Sequence, residues 1–389
     1  MDTGQFACGI FIDLEKAFDT VNHKILCDKL NYYGLRGKTN QLIQSYLTNR
    51  KQYVSIDGSK SEHKDVTCGV PQGSSLRPLL FLIYINDFHT ISGHFADDTY
   101  ILYSSTNLKT IETIVNTELK RISNWLKLNR LSLNTGKTEL IIFRSKRKTL
   151  DKEISIKLNG NKLTPVENVK YLGMILDQHL SWDAHIMHLS RKLSRVNGML
   201  CKLRYNAPKS VCLNLYYALF NSHISYGCNL WGLTSDKNIQ VVKMLQKKCL
   251  RIMTFSGYHH PSNELFIDLK ILKINDMIKL QQLKLAYEYW NKLLPDDLVS
   301  LFVPRNERQT TNLSLRSSDK NFLSIPKTKT VHAGNRSLRY QCSLLWNHFI
   351  SNDICTSPSS TLSMNEIKSV NHLKKQLKKH FEYLYTQVD

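Results

Sequence analysis

A chain of 389 residues is long enough for two or three ordinary domains, each with its own core. Its composition, 42% hydrophobic and 22% charged, excludes wholesale disorder and any collagen-like or mini-protein scaffold. The 53 Lys and Arg against 32 Asp and Glu leave +21, a surplus suited to facing a polyanion, either nucleic acid or an anionic membrane surface.

Up to about residue 180, short β-rich runs alternate with helical stretches. Ala7 to Ile12 reads as a buried strand. Asn22 to Tyr33 carries Ile25, Leu26, Leu30 and Tyr33 at helical spacing, with Gly34 placed to end that helix. Lys38 to Asn49 is a second predicted helix, Gln52 to Ile56 a strand, and Leu79 to Phe88 a helix after a Gly/Pro-rich loop. His94 to Ala96 and Tyr100 to Tyr103 flank Asp97-Asp98 in the pattern of a tight β-hairpin. Leu108 to Leu128 places Ile111, Ile114, Val115, Leu119, Ile122 and Leu126 on one stripe of a long amphipathic helix. Two further strands are expected at Thr138 to Phe143 and Val169 to Leu176. The pattern predicts an α+β fold in which helices cover one face of a mostly antiparallel sheet.

From Trp182 to about Leu294 the pattern is helical, broken near Pro208, Gly232 and Gly257 to Pro261. Leu294 to Lys329 reads as a linker or irregular loops, and a basic helix, Ile367 to Tyr385, closes the chain. The charge is uneven. Residues 1 to 145 hold 17 basic against 14 acidic groups, whereas residues 146 to 389 hold 36 against 18. The later part is therefore the better candidate for long-range contact with phosphates.

The 9 cysteines are odd in number and form no C-x-x-C pair, so neither a disulfide framework nor a zinc knuckle is expected. That usage fits a reducing, nuclear or cytoplasmic setting. The apolar run Leu79 to Ile85 is far short of the roughly 20 residues of a membrane span. The N-terminal residues also lack a secretory signal pattern. An intracellular, non-secreted protein with no membrane partner is the expectation.

Two acidic positions could carry chemistry: Asp13 at the end of an apolar strand, and Asp97-Asp98 at a hairpin tip. A carboxylate at the end of a buried strand is costly unless it is paired or binds a cation. Three gathered carboxylates repel one another unless a divalent ion neutralises them. Mg²⁺ suits such a cluster because it takes hard oxygen ligands and keeps waters and substrate phosphates in its shell. The bland reading is an Asp-rich turn at Asp97-Asp98 and a helix cap at Asp13. Gly136-Lys137-Thr138 is no P-loop, because Leu131 stands where the upstream glycine is required. His185-x-x-His188 and His259-His260 lack a matching second ligand pair. Tyr205, Tyr216, Tyr217, Phe220, Tyr226 and Trp231 fit either core packing or base stacking.

The order of these segments is more specific than any of them alone. Asp13-x-x-Lys16-Ala17-Phe18-Asp19, then Gly69-Val70-Pro71-Gln72-Gly73-Ser74, then Phe95-Ala96-Asp97-Asp98 resembles the reverse transcriptases of non-LTR (LINE-type, jockey- and CR1-like) retrotransposons. Leu133-Asn134-x-x-Lys137-Thr138 and Val169-Lys170-Tyr171-Leu172-Gly173 are similar to that family's next motif and its primer-grip hairpin. Ser225 to Gly232 resembles the region that follows.

The resemblance implies a right-hand polymerase: a palm over 1–180, a helical thumb-like region over 181–294, and a linker with a basic C-terminal region over 295–389. It implies that Asp13, Asp97 and Asp98 hold two Mg²⁺ ions, with Mn²⁺ as an alternative. Phe18 would be the steric gate, and Pro71, Gln72 and Gly73 would contact nucleotide and template. Lys137 would protonate the leaving pyrophosphate, and Tyr171, Leu172 and Gly173 would grip the primer. RNA template, DNA primer and deoxynucleoside triphosphates are the implied partners.

Two departures from the pattern bear on activity. Arg77 replaces the glycine before Pro78, adding bulk and charge, and a residue preceding proline is pushed from the α region. Asp13 is also only twelve residues from Met1, so the family's upstream fingers and endonuclease are expected to be missing. A partner supplying fingers is left open. The alternative to an RNA-directed DNA polymerase is a catalytically inactive nucleic-acid-binding remnant.

Overall fold

The computed structural model describes residues 1–88, 92–95, 98–150, 154–305, 321–352, 354–357 and 360–387. The chain divides into two compact units, one comprising Met1 and Thr3–Tyr171, the other Asp2 and Leu172–Asp389.

The first unit begins with β1 (Phe6–Ile12), followed by α1 (His23–Tyr32) and α2 (Lys38–Leu47). Asn22 caps α1 by accepting the Ile25 N–H, and Gly34 takes the left-handed backbone (φ +93°) just beyond its end. The strand expected at Gln52 to Ile56 is instead split between β2 (Lys51–Gln52) and β3 (Ser55–Ile56), which pair with β5 (Lys64–Asp65) and β4 (Ser59–Lys60) respectively.

Helix α3 (Leu76–Ile85) starts three residues before the expected position. Pro78 falls in its first turn, where a missing N–H removes no helical bond. Arg77 is accordingly helical despite preceding proline, which corrects the expected backbone shift there. The strands β6 (Ser92–Phe95) and β7 (Asp98–Ser105) pair antiparallel, and their linking residues 96 and 97 lie outside the described ones. Helix α4 (Leu108–Leu128) has the predicted bounds. It is followed by β8 (Glu139–Phe143), the hairpin β9 (Ile156–Leu158) and β10 (Asn161–Leu163), and β11 (Asn168–Tyr171).

The sheet order is β6-β7-β1-β8, antiparallel throughout, with β1 and β7 at its centre. Alternation decides the two faces. Cys8, Ile10, Ile12 and Ile101 point into a core shared with Leu80, Phe81, Tyr84, Val115 and Ile122 of α3 and α4. Phe11 and Tyr100 stand on the other face. There the Tyr171 ring packs on both, with centroids 4.8 Å and 5.7 Å away.

The second unit opens with β12 (Met174–Asp177) and is then helical. Its elements are α5 (Asp183–Leu203), α6 (Lys209–Leu215), α7 (Ser222–Ser225), α8 (Cys228–Trp231), α9 (Asp236–Thr254), α10 (Ser262–Asp268), α11 (Ile274–Trp290) and α12 (Asp296–Val299). Next come α13 (Leu338–Ser351), the pair β13 (Ile354–Ser357) and β14 (Ser360–Leu362), and α14 (Val370–Thr386). Its core gathers Leu193, Tyr216, Phe220, Trp231, Leu250, Phe266, Leu283 and Leu377. The aromatic stretch is thereby divided: Tyr216, Phe220 and Trp231 are fully buried, whereas Tyr205, Tyr217 and Tyr226 are exposed. Tyr216–Asn221 forms a π-helical turn. Among the described residues no helix is long and apolar enough to cross a membrane.

Candidate active site

In the β1–β7 register Ile12 faces Thr99, so the next residues outward, Asp13 and Asp98, come to the same end of the two central strands. By the same alternation both belong to the sheet face that carries Phe11 and Tyr100 rather than to the helix-covered core. Asp97 lies outside the described residues. Tyr171 reports the local field: burial, the Asp98 charge and Tyr100 push its hydroxyl pKa up to about 12.

Asp13 is held from a distant part of the chain. Leu14 bridges to Leu133, and the Glu15 N–H donates to the Ser132 carbonyl at 2.9 Å. The Asn134 N–H donates to the Asp13 carbonyl at 2.9 Å, while the Asn134 amide donates to Asp13 Oδ2 at 3.0 Å. The turn closes on itself. The Lys137 and Thr138 N–H groups and the Thr138 hydroxyl all donate to the Asn134 carbonyl. Lys137 Nζ thereby stands 3.7 Å from Asp13 Oδ2 with its side chain 73% exposed. It is a solvent-exposed cation standing over a carboxylate. Asn134 belonged to a recognised motif, but spacing did not reveal that it orients Asp13 across 121 residues.

Residues 14–20 form turns rather than a helix capped by Asp13. The Asp19 and Thr20 N–H groups donate to the Lys16 carbonyl, and Lys16 has φ +47°. The glycine loop is tied to this turn: the Gly69 N–H donates to the Val21 carbonyl at 2.7 Å and the Val70 N–H to the Phe18 carbonyl at 2.9 Å. A Cβ on Gly69 would lie 2.6 Å from the Asp19 carbonyl oxygen, and φ is +85° there, so only glycine fits. Pro71, Gln72 and Gly73 leave this junction on the way to α3, with Gln72 and Gly73 exposed.

Phe18 is half-buried, its ring 4.4 Å from that of Phe81. The Arg77 guanidinium lies 4.7 Å from the Phe18 centroid and 3.2 Å from Asp19 Oδ1. Arg77 is thus folded onto the gate candidate by cation–π and ion-pair contacts.

Leu172 (φ +44°) and Gly173 (φ +78°) both take the left-handed backbone of a two-residue turn. In the second unit the Tyr226 hydroxyl donates to the Leu172 carbonyl at 2.5 Å. His185 is buried and its Nδ1 accepts the Ile175 N–H at 3.3 Å, a structural role and not a metal ligand. Among the described residues no three His, Cys, Asp or Glu side chains gather to hold a metal ion. Asp13 nevertheless suits one: Oδ2 carries the Asn134 bond, and Oδ1 accepts none among the described residues. A hard divalent cation could take that oxygen.

The first unit thus combines a four-stranded antiparallel sheet with helices on one face, acids at one end of its centre and a glycine loop tied to the turn that follows β1. Residues 1–176 match the family "Reverse transcriptase (RNA-dependent DNA polymerase)". The relatives are of the non-LTR kind. The chain is 27% identical over 312 residues to the RNA-directed DNA polymerase from mobile element jockey of Drosophila melanogaster, covering 75% of this chain and 33% of that protein. It is 27% identical to the probable RNA-directed DNA polymerase from transposon X-element of the same species, covering 71% and 31%. The chain thus spans about a third of the length of these relatives. Among solved structures, telomerase from Candida albicans aligns over 69% of this chain and 51% of its own, with 11% identity and a TM-score of 0.38.

Proposed function

We propose that this chain is an RNA-directed DNA polymerase of a non-LTR retrotransposon, extending a primer 3′-OH on an RNA template with deoxynucleoside triphosphates. The four-stranded sheet and its helices would be the palm, 1–180. The helices of 181–294 would be the thumb-like region, and 295–389 the linker and basic C-terminal region. The observation that carries the reading is the convergence of Asp13, Asp98, Asn134 and Lys137 at one end of β1 and β7.

Two Mg²⁺ ions, with Mn²⁺ as an alternative, would be held by Asp13, Asp97 and Asp98 and would supply charge neutralisation for the attacking and leaving oxygens. The chain's own groups do the rest. Asn134 fixes the Asp13 carboxylate, so its other oxygen is presented without a search over rotamers. Lys137 is exposed and tethered, which suits a proton donor to departing pyrophosphate. Phe18, pinned between Phe81 and Arg77, presents a rigid edge that would exclude a ribose 2′-OH. Pro71, Gln72 and Gly73 offer exposed backbone to nucleotide and template, and Tyr171, Leu172 and Gly173 would contact the primer. The compartment would be intracellular, nuclear or cytoplasmic.

Primer extension on an RNA template by the purified chain, with Mg²⁺ and in parallel with Asp98→Asn, tests the reading. Template-directed products from the native chain that disappear in the variant support it. Absence of any Mg²⁺-dependent product contradicts it and leaves the inactive nucleic-acid-binding remnant as the alternative.

A further inference from the structure

The second unit carries a surface of a kind the polymerase reading does not use. Helices α5 and α9 pack in parallel: Asn238 donates to Asp183 near their N-terminal ends, Asn197 to the Leu245 carbonyl midway, and Arg204 to the Ile252 carbonyl at their C-terminal ends. That packing brings Tyr205 and Phe255 together, with ring centroids 5.5 Å apart. The two rings are 68% and 56% exposed, and nearby Tyr258 is 75% exposed. Large aromatic rings left in water at the end of a well-packed helix pair require an explanation.

The arginines organise them. The Arg204 guanidinium lies 4.8 Å from the Tyr205 centroid and 4.5 Å from that of Phe255, and its Nη2 donates to the Tyr205 hydroxyl at 2.8 Å. Arg251 donates to the His260 carbonyl at 3.0 Å and lies 5.8 Å from the Tyr258 ring. Phe255 occupies the left-handed backbone (φ +56°) that ends α9, where glycine would be less strained. Its ring is therefore fixed outward at a conformational cost.

Lys243, Lys247, Arg251 and Phe255 follow one another at intervals of four, a single ridge of α9 that runs from three half-buried cations to an exposed aromatic ring. The cations are close enough to repel. After burial, the charges of Lys243 and Arg251 lower the Lys247 pKa; Lys273 is lowered first by burial, with Asp276 opposing and Lys243 and Lys247 adding to the fall. The only acid drawn into the rings' vicinity among the contacts described is Glu264, 3.8 Å from His260.

We propose that this end of α5 and α9 is a binding platform for single-stranded nucleic acid, its bases stacking on Tyr205 and Phe255 and its phosphates running along the Lys243–Lys247–Arg251 ridge. Base stacking on exposed rings beside a cationic track is sequence-tolerant, because every base has a π-face. The platform is independent of nucleotide incorporation: it stands or falls whether or not the acid cluster is active.

The test is fluorescence-anisotropy binding of the full chain to short strands of oligothymidylate, oligodeoxyuridylate, oligouridylate and abasic DNA of equal length. Expected is at least about tenfold tighter binding of the base-bearing strands than of the abasic one. Tyr205→Leu and Phe255→Gly should each erase about a tenfold share of that preference and leave abasic binding unchanged. Phe255→Gly also relieves the left-handed backbone, so its thermal unfolding should be no lower than that of the native chain, which separates ring loss from misfolding. A difference between oligouridylate and oligodeoxyuridylate, which carry the same base, would assign the site to RNA or DNA. Equal affinity for abasic and base-bearing strands, or preference retained in both variants, overturns the proposal and leaves the rings to an apolar protein partner.

Discussion

The stretches of this chain before and after residue 145 carry charge differently. Residues 1 to 145 are close to electrical balance, with 17 basic and 14 acidic groups, and Asp13, Asp98 and Lys137 stand together at one end of the central strands. The remainder holds a twofold basic excess, much of it on helices such as α5, α9 and α14. An acid cluster built to hold cations needs local neutralisation and rigid placement. A surface that attracts a polyanion needs repetition more than placement, because counterion release scales with the number of phosphates met. The comparison teaches where precision resides: Asp13 is fixed by Asn134 and a bridge to Leu133, while Lys243 and Lys247 are merely set in a row.

This contrast can be broken in several places. The largest expected effect is Asp98→Asn, which should lower incorporation by on the order of a thousandfold. Primer-extension rates would measure it, and nucleic-acid affinity should barely change. Next is Trp231→Ala, which removes a fully buried ring whose indole N–H donates to the Tyr226 carbonyl. It should destabilise by about 3–5 kcal/mol in a denaturant titration, whereas the exposed Tyr205→Ala should stay within about 0.5 kcal/mol.

Third is pH. Burial, then the charges of His188 and Lys192, depress His185 from 6.5 to about 4, so the folded state keeps it neutral with Nδ1 accepting the Ile175 N–H. Between those values the unfolded chain binds more protons. Stability from this group is therefore full above about pH 6.5 and declines as pH falls toward 4, by up to about 3 kcal/mol. Unfolding curves across that window, flatter in His185→Asn, would check it. The smallest effect is expected from Arg77→Gly, about 1 kcal/mol of stability lost with its contacts to Phe18 and Asp19, measured by thermal unfolding.

Much of this arrangement could be read from residue order, and what could not has physical reasons. Helix α4 was legible to its ends because an unbroken stripe from Ile111 to Leu126 repeats at the helical period. The start of α3 was not, since Pro78 reads as a breaker although a first turn accepts it. Asp13 and Asp98 were legible as candidate metal ligands from composition and order. The hold of Asn134 on Asp13 was not, because a contact across 121 residues leaves no trace in local spacing. Tyr205 and Tyr216 look alike in a helical pattern, yet one is exposed and the other fully buried. Only packing tells them apart.

The central claim is that chemistry belongs to the acid cluster and a separate grip on single strands to the basic helices. Single-turnover nucleotide incorporation and single-strand affinity, measured on the same preparations of native chain, Asp98→Asn and Tyr205→Leu, test it most directly. The account predicts that Asp98→Asn loses Mg²⁺-dependent incorporation with affinity intact, and that Tyr205→Leu weakens base-dependent affinity while the chemical rate at saturating template-primer is kept. Incorporation that survives Asp98→Asn, or a native chain that incorporates nothing, would contradict it.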